Sequence, residues 1–279
     1  MKKHHKLALL AAAVPCLSFQ SLSAQRIIFR DEFNGPRNSG TSAQWNRETH
    51  RQGRGQFGGD AWIDGNGKAH IGVGRYHPSN NTFSQTAIKT KRSFAPGNKT
   101  LDFRIRMKIA SDNQPGIVYG FFTYNQYRAG GAMRSDELDF EWLTNRTANR
   151  NQDFIQLTTW AYWNRDRPQY GLREHPWHGT HLTQEKWLGF NAADWHTYTM
   201  RWKKGLVEWF YDKPDGKWQF IARYRGGAVP SGGQPLFING WVADSSWKEA
   251  FNSSYQPTNN PRQQRWNSML VDWVRVYER

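Results

Sequence analysis

Short segments of β-forming sequence recur along the chain and constrain what it can fold into. They are rich in β-branched and aromatic residues and are separated by clusters of turn-forming residues such as Pro96-Gly97-Asn98. No sustained helical period accompanies them. Strands at this spacing are typical of an all-β, two-sheet antiparallel β-sandwich. We predict strands in Lys68 to Gly74, Thr100 to Ala110, Phe154 to Tyr162, Trp195 to Trp202, Leu206 to Tyr211, Trp218 to Tyr224 and Met269 to Tyr277.

Residues 1–24 have the pattern of a secretory signal peptide. A lysine-rich start precedes an apolar run from Leu7 to Phe19, and small residues follow up to Ala24. The run is too short for a membrane span, which needs about 18 residues or more. The only cysteine, Cys16, lies in this segment, so we expect no disulfide in the mature chain. We predict that residues 25–279 form a single domain that is secreted, either outside the cell or into a periplasm.

The charge balance is strongly basic. The sequence contains 38 Lys and Arg against 23 Asp and Glu, which gives a formal net charge of +15. Such a balance favours anionic partners, including acidic or sulfated polysaccharides. The cations are scattered and no recognition motif is present, so we expect no nucleic-acid partner. We also expect a monomer without a membrane span.

The segment from Ser135 to Leu143 concentrates acidic residues on one side of a predicted strand. Alternation places Glu137, Asp139 and Glu141 on one face. Like charges at this spacing repel and raise one another's pKa, so stability alone does not favour them. A protonated acid beside an ionised carboxylate is what glycoside hydrolysis requires. Calcium ligation and a solvated acidic surface are the competing interpretations.

This run also resembles a known active site. The sequence E-L-D-F-E, preceded by G-I-V-Y-G-F-F-T-Y from Gly116 to Tyr124, is similar to the active-site strand of glycoside hydrolase family 16. Within the family it most resembles bacterial lichenases, which cut mixed-linkage β-1,3-1,4-glucans. The motif lacks the extra residue of the laminarinase, agarase and carrageenase types. The resemblance implies a jelly roll whose concave sheet forms an open carbohydrate cleft.

The resemblance also implies roles for the three acids. Glu137 matches the nucleophile, Glu141 matches the general acid/base, and Asp139 matches the residue that tunes their protonation. The implied chemistry is a double displacement with retention, and it requires no cofactor.

Other positions are matched to sugar binding by the same resemblance. The segment Phe237-Ile238-Asn239-Gly240-Trp241 resembles a strand that sends an Asn and a Trp into the cleft. On the strand after the acids, alternation groups Gln156 and Trp160 on the expected cleft face. We therefore predict that the substrate-binding residues are Tyr124, Gln156, Trp160, Asn239 and Trp241. Asp272 matches a carboxylate that holds a structural calcium ion in family members.

Two features depart from the lichenase pattern. Ser135 stands where lichenases carry a Trp, and Gln85 and Lys89 stand where they carry an acidic residue and an Arg on an early strand. We also predict a long basic and aromatic loop from Tyr162 to Phe190, which would either wall one end of the cleft or pack on itself. Three histidines in this loop recur every third residue, but Pro176 and Gly179 argue against a helical metal site.

These observations favour a secreted endo-acting glycoside hydrolase whose substrate is a β-linked polysaccharide, most of all a β-1,3/1,4-glucan. The basic charge keeps open a hydrolase of an anionic or galactan polysaccharide, of the carrageenase, porphyranase or agarase type. The sequence is also compatible with a transglycosylase of the same family and with a glycan-binding module without activity.

Overall fold

The computed structural model describes residues 25–59, 61–79, 81–110, 114–147, 154–164, 180–213 and 216–279. The predicted signal peptide lies outside these residues. Strands dominate, and the described helices are α1 (Thr144–Thr147) and a short 3-10 turn (Pro261–Gln263). Within the described ranges, no helix has the length and apolar character needed to cross a membrane. The all-β prediction is confirmed.

Two groups of strands form the layers, and strands are numbered in chain order. We call the first group the cleft sheet: β12 (Thr180–Trp187), β11 (Phe154–Asn164), β10 (Ala132–Leu143), β9 (Ile117–Ala129), β16 (Gln234–Val242) and β7 (Phe83–Phe94). Three short strands extend it: β2 (Trp45–Arg47), β3 (Arg51–Gln52) and β4 (Gly55–Gly59).

We call the second group the outer sheet. It contains β6 (Ala69–Gly74), β17 (Trp266–Glu278), β8 (Leu101–Ile109), β13 (His196–Lys203), β14 (Leu206–Asp212) and β15 (Trp218–Arg225). At its margins, β1 (Arg26–Asp31) pairs with β17 and β5 (Trp62–Ile63) pairs with β6. The two sheets join where β6 pairs with β7. The pairings are antiparallel except for the parallel pair of β4 and β7.

The core lies between the two sheets and follows the alternation of the sequence. On β8, Phe103, Ile105 and Met107 are buried, whereas Arg104 and Arg106 on the opposite face are half-buried. Aromatic side chains connect the two layers across the core. For example, the rings of Trp142 on β10 and Tyr198 on β13 meet edge to face with centroids 4.8 Å apart.

A tight hairpin sets the register of β10. Its two loop residues, Gly130 and Gly131, have φ angles of 58° and 76°. Positive φ at both positions is the requirement of a type I′ turn, and glycine meets it without steric cost. From this turn β9 and β10 pair without a register break, which places Glu137 opposite Tyr124 and Glu141 opposite Gly120.

The predicted loop from Tyr162 to Phe190 is partly wrong. β11 continues to Asn164, and residues 180–187 form β12, which pairs with β11. Residues 165–179, with His175 and His178, lie outside the described residues. Thr, Leu, Gln and Lys in this stretch give only a weak alternating pattern, and β12 forms because β11 offers it an edge.

One hydrogen bond ties the outer sheet to the strand of acids. The indole Nε1 of Trp209, a buried residue of β14, donates to the backbone carbonyl of Asp139 at 3.0 Å. A buried indole N–H needs such an acceptor, because leaving it unpaired would cost free energy. The packing of the outer sheet therefore fixes the distance between the Asp139 backbone and that sheet.

We predict that Trp209→Phe lowers the free energy of unfolding by about 1–3 kcal/mol, because it leaves the Asp139 carbonyl without its partner and removes buried surface. Urea denaturation measures this change. Trp218→Phe is the control, since Trp218 is 47% exposed, and it should change stability by about 0.5 kcal/mol or less. Equal effects of the two substitutions would contradict the proposed role of the indole.

Candidate active site

The three predicted acids lie together on the floor of an open cleft. The side chains at alternate positions of β10, Glu137, Asp139 and Glu141, face the same cavity. The volume of this cavity is about 690 Å³. Asp139 is buried, while Glu137 and Glu141 are half-buried. The structure therefore brings the acids together as their spacing predicts.

Burial and mutual repulsion shift the protonation of two of these acids. Burial, followed by the negative charge of Glu137, raises the pKa of Glu141 to about 8, against a small opposing effect of a hydrogen bond from Gln156. Burial, then the charges of Glu137 and Glu141, raise the pKa of Asp139 well above its ordinary value. At neutral pH Glu141 is therefore mostly protonated.

Hydrogen bonds set the orientation of the acids. Asp139 shares a hydrogen bond with Glu137 that favours the protonated form of Asp139. On the other side, Gln156 Nε2 donates to Glu141 Oε2 at 3.0 Å. The charge that raises the pKa of Glu141 thus comes from Glu137, and Asp139 acts on Glu137 through a shared proton.

A row of cross-strand neighbours extends from Glu141 into the cleft. Glu141 lies opposite Gly120, and Gly120 lies opposite Asn239 on β16. A Cβ atom on Gly120 would come within 2.6 Å of Asn239 Oδ1, so only glycine leaves room for this amide. Asn239 is 9% exposed, and its Oδ1 has no hydrogen-bond partner within the described part of the chain. This oxygen is placed to accept a bond from a ligand in the cleft.

Aromatic rings form the next rows of the cleft. Phe122 stacks on Phe237 with centroids 5.0 Å apart, and Tyr124 meets Phe237 edge to face. Trp241 also lines the cleft and packs against Trp247 at 5.7 Å. Tyr124, Asn239 and Trp241 are therefore placed in the cleft. The sequence did not indicate Phe122 and Phe237, because aromatic residues in strands are as often part of the core.

A bulge in β11 places two tryptophans beside Glu137. Glu137 pairs with Trp160 and Ser135 pairs with Trp163, so β11 has one residue more than β10 between these pairs. Trp160 and Trp163 consequently point to the same face, with ring centroids 4.4 Å apart. Both Trp160 and Gln156 lie one strand beyond the residues that line the cavity. Trp163 occupies the place next to Ser135, where the lichenase pattern has a Trp on β10 itself.

The bulge is held by a buried carboxylate. Tyr162, with a φ of 56°, is the bulged residue, and its backbone N–H donates to Asp136 Oδ1 at 2.7 Å. The hydroxyl of Tyr127 donates to the same oxygen at 3.1 Å. A left-handed conformation is uncommon for a tyrosine, and these bonds from two strands stabilise it.

Charged residues from the edge of the cleft sheet complete the wall. Glu48 forms an ion pair with Lys89, with Oε1 and Nζ 2.7 Å apart, and its Oε2 lies 3.3 Å from His50 Nδ1. These three residues and Arg51 line the cleft. The sequence pattern did not indicate Glu48, which lies after a three-residue strand without a clear alternation. Gln85 is not a cleft residue: it is buried and fastens β16 by accepting from the N–H of Val242 at 2.8 Å.

The surroundings of Asp272 do not fit a calcium ion. Its Oδ1 lies 2.7 Å from Lys68 Nζ, and its Oδ2 accepts a hydrogen bond from Arg106. Burial alone would raise the pKa of Asp272, but the bonds from Lys68 and Arg106 outweigh it and lower the pKa. Two cations already neutralise this carboxylate. Among the described residues, no group of three or more His, Cys, Asp or Glu side chains is placed to hold a metal ion.

Comparison with known proteins now identifies the family. The model of the glycosyl hydrolases family 16 matches residues 59–274, which include all three acids and most of the residues that line the cleft. The chain belongs to glycosyl hydrolase family 16. No protein with a curated description matches the sequence.

Solved structures share the fold of this family 16 chain at low sequence identity. A prokaryotic β-1,3-1,4-glucanase (lichenase) from a mouse hindgut metagenome is 20% identical with a TM-score of 0.60, covering 89% of this chain and 97% of that one. The κ-carrageenase of Pseudoalteromonas carrageenovora is 17% identical with a TM-score of 0.65, covering 96% and 100%. A Mycobacterium tuberculosis antigen described as a pseudo β-1,3-glucanase is 20% identical with a TM-score of 0.63, covering 91% and 99%.

We predict that Glu141→Gln stabilises this family 16 chain. An acid whose pKa rises on folding, here from 4.5 to about 8, weakens the fold as the pH rises from its unfolded pKa through its folded pKa. Removing it should raise the free energy of unfolding by about 1–3 kcal/mol at pH 8, with less gain near pH 5. Denaturation at the two pH values measures this. The control is Glu249→Gln at an exposed position, and a gain that does not depend on pH would contradict the account.

Proposed function

We propose that the chain is a secreted, retaining endo-glycoside hydrolase that cuts a β-linked polysaccharide, with β-1,3/1,4-glucan as its preferred substrate. The observation that carries this proposal is the protonation pattern in the cleft. Burial and the negative charge of Glu137 raise the pKa of Glu141 to about 8, so Glu141 keeps its proton at neutral pH. Glycoside hydrolysis needs one carboxyl group in each state, with the two groups flanking the scissile bond. Secretion rests on the signal-like pattern of residues 1–24.

In the first step, the Glu137 carboxylate forms a bond to the anomeric carbon while the bond from that carbon to the glycosidic oxygen breaks. Glu141 gives its proton to the departing oxygen. In the second step, Glu141, now ionised, takes a proton from water, and the water oxygen displaces Glu137 from the anomeric carbon. Asp139 orients Glu137 and holds its charge through their shared hydrogen bond.

The aromatic lining favours a neutral glucan as the substrate. The half-buried rings of Phe122, which is backed by Phe237, and Trp241 offer flat apolar surfaces to the C–H faces of sugar rings. The open cleft suits attack within a chain. A reducing-sugar assay on barley β-glucan, lichenan, laminarin and xyloglucan tests the proposal. Release from the mixed-linkage glucans is the expected result, and no release from any of the four would overturn it.

A second candidate substrate is an anionic galactan. Lys89 and Arg51 lie along one wall of the cleft, where they outnumber Glu48, and the fold resembles that of a κ-carrageenase. The same assay on carrageenan, porphyran and agarose distinguishes the two. Activity on these polymers alone would favour the second candidate. Redistribution of chain lengths without new reducing ends would indicate a transglycosylase, and binding without turnover would indicate a glycan-binding module.

The roles of the acids predict different losses of activity. Glu137→Ala should reduce kcat about 10⁴-fold or more on every substrate, because attack at the anomeric carbon has no substitute. Glu141→Ala should lose about 10²–10⁴-fold on polysaccharide. It should regain activity with aryl glycosides whose leaving groups need no proton, and with azide, which attacks the intermediate without a base.

Steady-state kinetics and product analysis check both variants. Glu249→Ala, at an exposed carboxylate, should retain wild-type rates. If neither variant is rescued and both lose activity equally, the acids do not have these separate roles.

A further inference from the structure

The outer face of β8 carries a straight row of cations. Arg104, Arg106 and Lys108 alternate with the buried residues of this strand, so all three point away from the core. Side chains two residues apart on one face of a strand are separated by about 6.5–7 Å. We call these three residues the β8 cation row. It lies on the side of the sandwich opposite to the cleft.

Aromatic rings flank each cation of the row. The Arg104 guanidinium lies 4.3 Å from the ring centroid of Tyr277 and 5.0 Å from that of Trp218. Arg106 and Lys108 both lie 5.3 Å from the ring centroid of Trp195. These distances are within the range of cation–π contact. Each cation of the row therefore lies over an aromatic ring.

Cations exceed carboxylates on this face. The buried carboxylate of Asp102 is shared by Arg104, Arg201 and Arg279. Asp272 is shared by Lys68 and Arg106. No acidic group of the described residues forms an ion pair with Lys108. Glu208 pairs with Arg223 and also acts on Arg201. Four arginines, Arg104, Arg201, Arg223 and Arg279, thus share two carboxylates, Asp102 and Glu208, so this face attracts anions.

We propose that the outer face binds an anionic polysaccharide, carrying sulfate esters or uronic acids, along the β8 cation row. Evenly spaced cations suit the repeating charges of a linear polymer, and the rings beneath them hold the cations in place. A bilayer would require apolar side chains that protrude without charge, whereas the rings of Trp195 and Tyr277 are held against cations. This inference rests on the proposed function in one respect: with the anionic galactan of the second candidate as substrate, one polymer held at both faces would have a raised effective concentration at the cleft.

The test uses dextran sulfate, with uncharged dextran for comparison, and a Glu137→Gln chain that cannot cut its ligand. Affinity electrophoresis in 50 mM NaCl measures retardation. Dextran sulfate should bind and dextran should not. Arg106→Gln with Lys108→Gln should weaken binding about 25-fold, since each cation near an anionic surface contributes about fivefold. Lys108→Gln alone removes no ion pair of the described residues, so it preserves the fold and should weaken binding about fivefold.

The matched control removes two exposed cations elsewhere, Arg262 and Lys91, the latter on the cleft sheet. Arg262→Gln with Lys91→Gln should change binding less than twofold. An equal loss in both pairs would show diffuse attraction to net charge and would overturn the proposal. So would displacement of dextran sulfate by a neutral glucan tetrasaccharide that fills the cleft. Tighter binding of single-stranded DNA or of anionic phospholipid vesicles at the same salt concentration would also overturn it.

The outcome is separable from that of the proposed function. Arg106→Gln with Lys108→Gln, made in the chain with Glu137 intact, should leave hydrolysis of a soluble aryl oligosaccharide unchanged. If the unmodified chain cuts no polysaccharide but the outer-face variants lose dextran sulfate binding as stated, the proposed hydrolase fails and the binding face stands.

Discussion

Burial of carboxyl groups on one face of β10, together with their mutual repulsion, governs the properties of the cleft. Burial makes it costly to ionise Glu137, Asp139 and Glu141 together. The pKa values of Asp139 and Glu141 are therefore raised, and the site retains protons at neutral pH. The negative charge of Glu137 raises the pKa of both Asp139 and Glu141. The hydrogen bond from Gln156 only moderates the pKa of Glu141. A fold selected for stability alone would not place these acids here, and the strain is tolerated because both sheets fix the strand that carries them.

Three structural features fix that strand. The glycine hairpin determines the register of β10, and the indole of Trp209 fixes its distance from the outer sheet. The carboxylate of Asp136 holds the bulge in β11. Each feature is local in chemistry but acts on side chains several residues away, because a shift of one residue in register would turn every acid toward the core. The positions of the acids thus depend on residues that never touch the cleft.

The fold class and the acids could be predicted because both follow from local sequence pattern. Alternation of apolar and polar residues indicates a strand, and three acids at alternate positions of a strand share one face whatever surrounds them. Tyr124, Asn239 and Trp241 were found through motif resemblance. Residues whose position depends on distant partners could not be found in this way. Glu48 reaches the cleft only because β2 pairs with β7, and β12 needs the edge of β11. The ion pairs of Asp272 with Lys68 and Arg106 join residues far apart in the sequence, so its environment was not visible there.

The central claim is that Glu137 forms a covalent bond to the sugar while Glu141 exchanges protons. Mass spectrometry after incubation with a 2-deoxy-2-fluoro glycoside of an active oligosaccharide tests it most directly, because such reagents form the intermediate and release it slowly. We predict a single sugar adduct on the peptide that contains Ser135 to Leu143, with fragmentation that places it on Glu137. An adduct on Glu141 or on a residue outside β10 would contradict the account, as would inversion of the anomeric configuration in the products.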